Sequence, residues 1–136
     1  KGMLWVSQVA PGNENGLRLR IYGSKAGIEW SQENPNYLKF SPLGEPSKIL
    51  GRGNPELSES AVKVTRTPPG HPEGYIEGFA NIYAEIAQAV YAAREGKPVP
   101  HDVLFPDLED GIAGMIFIEA SRNSSRNDGK WVLLNN

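Results

Sequence analysis

His71, Glu73 and Tyr75 are three side chains able to do chemistry within one short stretch, Pro68-Pro69-Gly70-His71-Pro72-Glu73-Gly74-Tyr75. They lie at the mouth of a predicted helix, whose first N–H groups favour an anion or a polar ligand. The same residues also have a purely structural use. Glu73 would serve the helix dipole, Tyr75 would anchor the first turn in the core, and His71 would fit the turn. Composition leaves both readings open. His71 and Glu73 could offer two metal ligands, but the other histidine, His101, adds no paired ligand spacing, so no metal is expected.

Other chemistries find little support. Gly23-Ser24-Lys25-Ala26-Gly27 is not a G-x-S-x-G elbow, because its serine comes one place early and the segment reads as a hairpin turn. Gly51-Arg52-Gly53 precedes no predicted helix, so neither a P-loop nor a dinucleotide fingerprint is present. Arg18 and Arg20 share a strand face and could bind a carboxylate, but a solvated or interface face is the more ordinary use. Trp5, Trp30 and Trp131 could form a sugar platform, although tryptophans on strands more commonly pack. Asp107, Glu109 and Asp110 crowd the start of a predicted helix, where acids complement the dipole.

These residues need elements to position them. The longest is a helix opening at Pro72-Glu73 and stopping at Arg94, Gly96 and Pro98. Its apolar stripe is Tyr75, Ile76, Phe79, Ile82, Tyr83, Ile86, Val90 and Tyr91. A second helix is predicted from Pro106 or Asp107 to about Ser124, with Gly111 and Gly114 expected to let another backbone approach. Strands are predicted at Met3–Val9, Leu17–Tyr22, Ile28–Ser31, Tyr37–Phe40, Ser47–Leu50 and Lys130–Leu134, with a short edge strand at Val62–Arg66. Asn15-Gly16 suits a hairpin between the first two. The sum is an α+β domain over 1–136, a mainly antiparallel open-faced sheet with two long helices on one face.

The bulk numbers agree with one globular domain. The chain has 136 residues, 39% hydrophobic and 22% charged, with a net charge of −2 and no cysteine. Nothing in that charge suggests nucleic acid or an anionic membrane as a partner, and no apolar run is long enough to span a bilayer. Absent cysteine fits a reducing, cytoplasmic setting. KGMLWVSQV enters a strand pattern at once without an initiator Met, so a piece of a longer protein is expected.

In order, SQVAPGNENGLRLRIYGSKAGIEW, PPGHPEGYIEGFANIY, FPDLEDGIAGMIFIEASRNSS and KWV resemble the C-terminal domain of the Gfo/Idh/MocA oxidoreductases. This is the family of glucose–fructose oxidoreductase and inositol dehydrogenase. The resemblance covers nearly the whole chain, with 51–66 matched least. It implies an N-terminal Rossmann domain, outside this sequence, that holds NAD or NADP and carries the catalytic Lys-Pro motif. The family's Asp-x-x-x-His motif is not found here either. No catalytic residue, cofactor site or metal site is therefore implied for this chain, which is expected to be inactive alone. His71, Glu73 and Tyr75 resemble a segment lying towards the cleft for a small sugar or polyol. The open sheet face, with Trp5, Arg18, Arg20 and Tyr22, is implied to meet another subunit in a dimer or tetramer. The alternative is a stand-alone, non-catalytic binding or oligomerisation module of the same fold.

Overall fold

A computed structural model describes residues 1–55 and 57–134. The chain divides into two compact units, Val9–Ala84 on one hand and Lys1–Gln8 with Glu85–Asn136 on the other.

The first unit is built on a four-stranded antiparallel meander, β1 (Arg18–Tyr22), β2 (Ala26–Ser31), β3 (Tyr37–Pro42) and β4 (Lys48–Gly51), in the order β1-β2-β3-β4. Directly opposed residues share a face of the sheet. Leu19, Trp30, Leu38 and Leu50 therefore line up across it, as do Ile21, Ile28 and Phe40. The other face carries Arg20, Glu29 and Lys39 in register, and Lys39 Nζ lies 3.2 Å from Glu29 Oε1. Tyr22 lies over its partner Gly27, where a Cβ would meet the ring at 2.9 Å. The alternation read from Leu17 to Tyr22 is thus the two-faced register of an open sheet.

After β4 the chain departs from expectation. Residues Glu59–Lys63 form a short helix, α1, and Val62–Arg66 is not an edge strand. Ser58 caps α1, its hydroxyl accepting from the Ala61 N–H at 3.4 Å. A local cap wins here over the β propensity of two valines, because no neighbouring strand among the described residues offers them a ladder.

The long helix α2 (Tyr75–Arg94) starts three residues later than Pro72. Its first-turn acid is Glu77, whose Oε2 accepts from Gly74 N–H at 2.8 Å, so Glu73 does not serve the dipole. Its end is as predicted. Gly96 takes φ 67°, Gly96 N–H bonds to Ala93 O and Lys97 N–H to Ala92 O, the paired bonds of a Schellman stop.

In the second unit α3 (Leu108–Arg126) opens on a capping box. Asp107 Oδ1 accepts from Glu109 and Asp110, and Asp110 Oδ2 accepts from Asp107 N–H at 3.0 Å. Asp107→Ala should cost the helix about 1 kcal/mol. Faster amide exchange at Glu109 and Asp110 would check this, with unchanged exchange counting against it.

Two further predicted strands are missing. Met3–Val9 and Lys130–Leu134 have no strand structure, and Asn15-Gly16 closes no hairpin. A strand needs a second strand to form a ladder, and neither segment is part of a sheet among the described residues. Instead, Glu33 Oε1 accepts from the Glu14 and Asn15 N–H groups, each at 3.1 Å, and fixes that loop.

Among the described residues only Ala92 is buried. The stripe of α2 stays open, from Ile86 at 42% exposure to Tyr75 at 80%. A Cβ on Gly111 or Gly114 would meet nothing within 4 Å, so the close backbone approach expected there is not found. The class is α+β, with one open sheet and two long helices whose apolar residues are largely exposed.

Candidate functional site

The end of the β3–β4 hairpin is a platform. Asn36 precedes β3 and Arg52 follows β4; the register Tyr37↔Gly51 therefore sets them opposite each other. Arg52 N–H bonds to Asn36 O at 2.8 Å, one step beyond the sheet. Both side chains then reach towards the turn at 66–74.

Asn36 holds that turn by its backbone. Its Nδ2 donates to Glu73 O at 2.9 Å, and its Oδ1 accepts from Glu73 N–H at 3.0 Å. A side-chain amide offers a donor and an acceptor side by side, as a peptide group does. Asn36 thus pairs with Glu73 much as another strand would.

Glu73 sends its carboxylate back into the same turn. Oε1 accepts from Arg66 N–H at 2.5 Å, from Thr67 N–H, and from Arg52 Nη1 at 3.2 Å. The two side chains are only 16% (Arg52) and 7% (Glu73) exposed. Burial by itself would push this carboxyl up. The Thr67 and Arg66 N–H groups, the Thr67 hydroxyl and the Arg52 charge outweigh burial, and the pKa lies below the ordinary carboxylate value. Glu77 is also lowered, first by the Gly74 N–H bond at the start of α2.

The start of α2 is tied in as well. Asn81 Nδ2 donates to Val64 O at 2.8 Å, and Asn81 Oδ1 accepts from Arg66 Nε at 2.6 Å. The turn is therefore anchored at both of its shoulders.

The three predicted site residues divide by role. Glu73 is the half-hidden peg of the turn. The His71 backbone is held, its carbonyl accepting from Arg52 Nη2 and from the Thr67 hydroxyl at 3.2 Å, while its side chain is exposed. Tyr75 is exposed on the first turn of α2 and lies against Phe79, with ring centroids 4.7 Å apart. What the geometry offers is a firmly held backbone presenting an imidazole and a phenol outward. No group of three or more metal-ligating side chains gathers among the described residues.

Asn36 and Arg52 escaped the reading of the sequence. Arg52 stood out only as the centre of a Gly-Arg-Gly that fits no phosphate loop. The signal that could have found it is a lone arginine at a strand end, facing a Pro-Pro-Gly turn rich in free carbonyls.

An open antiparallel sheet with two long helices, and a turn held at the sheet end, defines an α+β domain. Its sequence matches the profile of the oxidoreductase family's C-terminal alpha/beta domain over residues 1–134, and the chain belongs to the Gfo/Idh/MocA oxidoreductase family. It is 38% identical over 132 residues to "Uncharacterized oxidoreductase YfiI" of Bacillus subtilis, covering 96% of this chain and 34% of that protein. An oxidoreductase structure from Sinorhizobium meliloti is 50% identical with a TM-score of 0.82, over 93% of this chain and 35% of that one. An inositol dehydrogenase homolog from Azotobacter vinelandii, complexed with NADH and myo-inositol, is 35% identical with a TM-score of 0.82, over 93% and 34%. The chain spans about a third of the length of these relatives.

Proposed function

We propose that this chain is the substrate-side and assembly part of a cytoplasmic NAD(P)-dependent sugar or polyol dehydrogenase, and that it is inactive by itself. The observation that carries this is the match over residues 1–134 to a domain that makes up only a third of its relatives, one of them holding NADH and myo-inositol. In this reading His71 and Tyr75 lend surface to the polyol cleft, and Glu73 keeps them in place. The exposed stripes of α2 and α3 are met by the remainder of the parent, and the Arg20–Glu29–Lys39 face of the sheet by another subunit.

The described residues do not fit a dinucleotide. Gly51 ends β4 and Gly53 follows it, but the next helix is α1, only five residues long. A Cβ on Gly53 would meet Pro69 at 3.2 Å, so this loop is filled by its own chain and leaves no cradle for a pyrophosphate. No step of hydride transfer is assigned to these residues. Their share is binding and orientation.

Titration calorimetry of this chain with NAD+ and NADP+ should show no binding, and a micromolar affinity would overturn the division of labour. In the full-length protein, His71→Ala should raise KM for the polyol about tenfold, the loss of roughly one hydrogen bond. Unchanged kinetic constants would return His71 to a structural role.

A further inference from the structure

Arg52 is the hub of the site, and its contacts carry one step more. All five of its N–H bonds have work to do, and five protein contacts use its three nitrogens. Nε donates to Asn36 Oδ1 at 2.8 Å. Nη1 donates to Thr67 O at 2.9 Å and to Glu73 Oε1 at 3.2 Å. Nη2 donates to Pro68 O at 3.4 Å and to His71 O. Three of the five acceptors are backbone carbonyls of one turn, and the last belongs to the residue whose imidazole faces outward. A planar fork with fixed donor directions sets the position and the tilt of such a turn, whereas a lysine ammonium would satisfy only part of it.

We infer that Arg52 is a positioning residue of the substrate cleft, acting through the His71 carbonyl to aim the imidazole at the polyol. The inference rests on the reading of His71 as cleft surface. The guanidinium touches no substrate itself. It is anchored to the sheet through Asn36, so the position of His71 is referred to the most regular element of the domain. A misplacement of about 1 Å at such a group can cost up to about 10²-fold in rate.

The test combines this chain with the full-length protein. In this chain, Arg52→Lys and Arg52→Ala should speed amide exchange at Arg66 and Thr67 while leaving the strand amides of β1 and β2 unchanged. In the full-length protein, NAD+-dependent oxidation is measured with the best substrate of a polyol panel that begins with myo-inositol. Arg52→Ala should lower kcat/KM about tenfold or more, Arg52→Lys should fall between it and the wild type, and millimolar guanidinium should restore part of the Arg52→Ala loss where sodium at equal ionic strength does not. Placed on top of His71→Ala, Arg52→Ala should add little, because its effect passes through that residue. Full additivity of the two substitutions would overturn the inference, as would an Arg52→Lys enzyme equal to the wild type. If His71→Ala is silent, or no polyol in the panel is oxidised, the cleft reading itself fails and the positioning role falls with it. The exchange data then still separate that failure from a misjudged grip of Arg52 on the turn.

Discussion

Replacing Glu73 by alanine should cost this chain about 3 kcal/mol, roughly 1 kcal/mol for each of the three donors it strands at a part-buried position. The physical reason is how much converges on one oxygen. Arg66 N–H, Thr67 N–H and Arg52 all point at Oε1, and each would be left facing a void. Amide exchange at Arg66 and Thr67 reads the loss directly, and it should rise by about two orders of magnitude or more for a local change of this size. Protection surviving in the alanine variant would show that the turn stands without its peg. Glu73→Gln separates acceptor from charge, because it keeps an oxygen for the two N–H groups and gives up the attraction to Arg52. Its cost should be nearer 1 kcal/mol.

The same carboxyl makes the turn sensitive to acid. Its folded pKa is depressed, so the folded state prefers the charged form. The stabilisation is then complete above the unfolded value of about 4.3 and is lost as pH falls through the lower folded value. Exchange-protected Arg66 and Thr67 should therefore loosen in the wild type as pH drops from about 4.3, after correction for the intrinsic exchange rate. Glu73→Gln should remove that dependence. A glutamine variant that loosens with acid as the wild type does would assign the effect to another group.

Asn36→Ala should rank with it, at a cost on the order of 3 kcal/mol from three hydrogen bonds at a part-buried position. The alanine strands Glu73 N–H, Glu73 O and Arg52 Nε together. Asn36→Asp is the sharper probe. A carboxylate there still accepts from Glu73 N–H and from Arg52 but cannot donate to Glu73 O, so two of the three bonds survive. The aspartate should lie between the alanine and the wild type in urea midpoint and in Glu73 amide exchange. An aspartate as harmful as the alanine would mean that the single bond to the carbonyl carries the whole attachment.

Residues with near neighbours in sequence announced their structure. The Leu19–Ile21 alternation, the acid-rich helix start at Asp107 and the Gly96 stop depend on groups a few positions apart, and all are found as read; the box that Asp107 and Asp110 form there is the structure's addition. The α+β class follows from such local patterns summed along the chain. The ordered set of segments likewise pointed to the family, because a family leaves its mark along the whole sequence.

The strands at Met3–Val9 and Lys130–Leu134 failed for the opposite reason. Their composition is right, but a ladder needs a second strand, and propensity says nothing about whether one arrives. Glu73 looked like a helix-start acid because Pro72 precedes it and a long stripe follows. Only the fold shows that its carboxylate turns back to Arg66, Thr67 and Arg52. Asn36 reaches Glu73 across 37 positions and Arg52 reaches it across 21, distances over which no periodicity operates. His71, Glu73 and Tyr75 were visible from the first as residues able to do chemistry. The division of labour among them, a peg holding two outward-facing rings, was decided by the β3–β4 register, which brings Asn36 and Arg52 to the same end of the sheet.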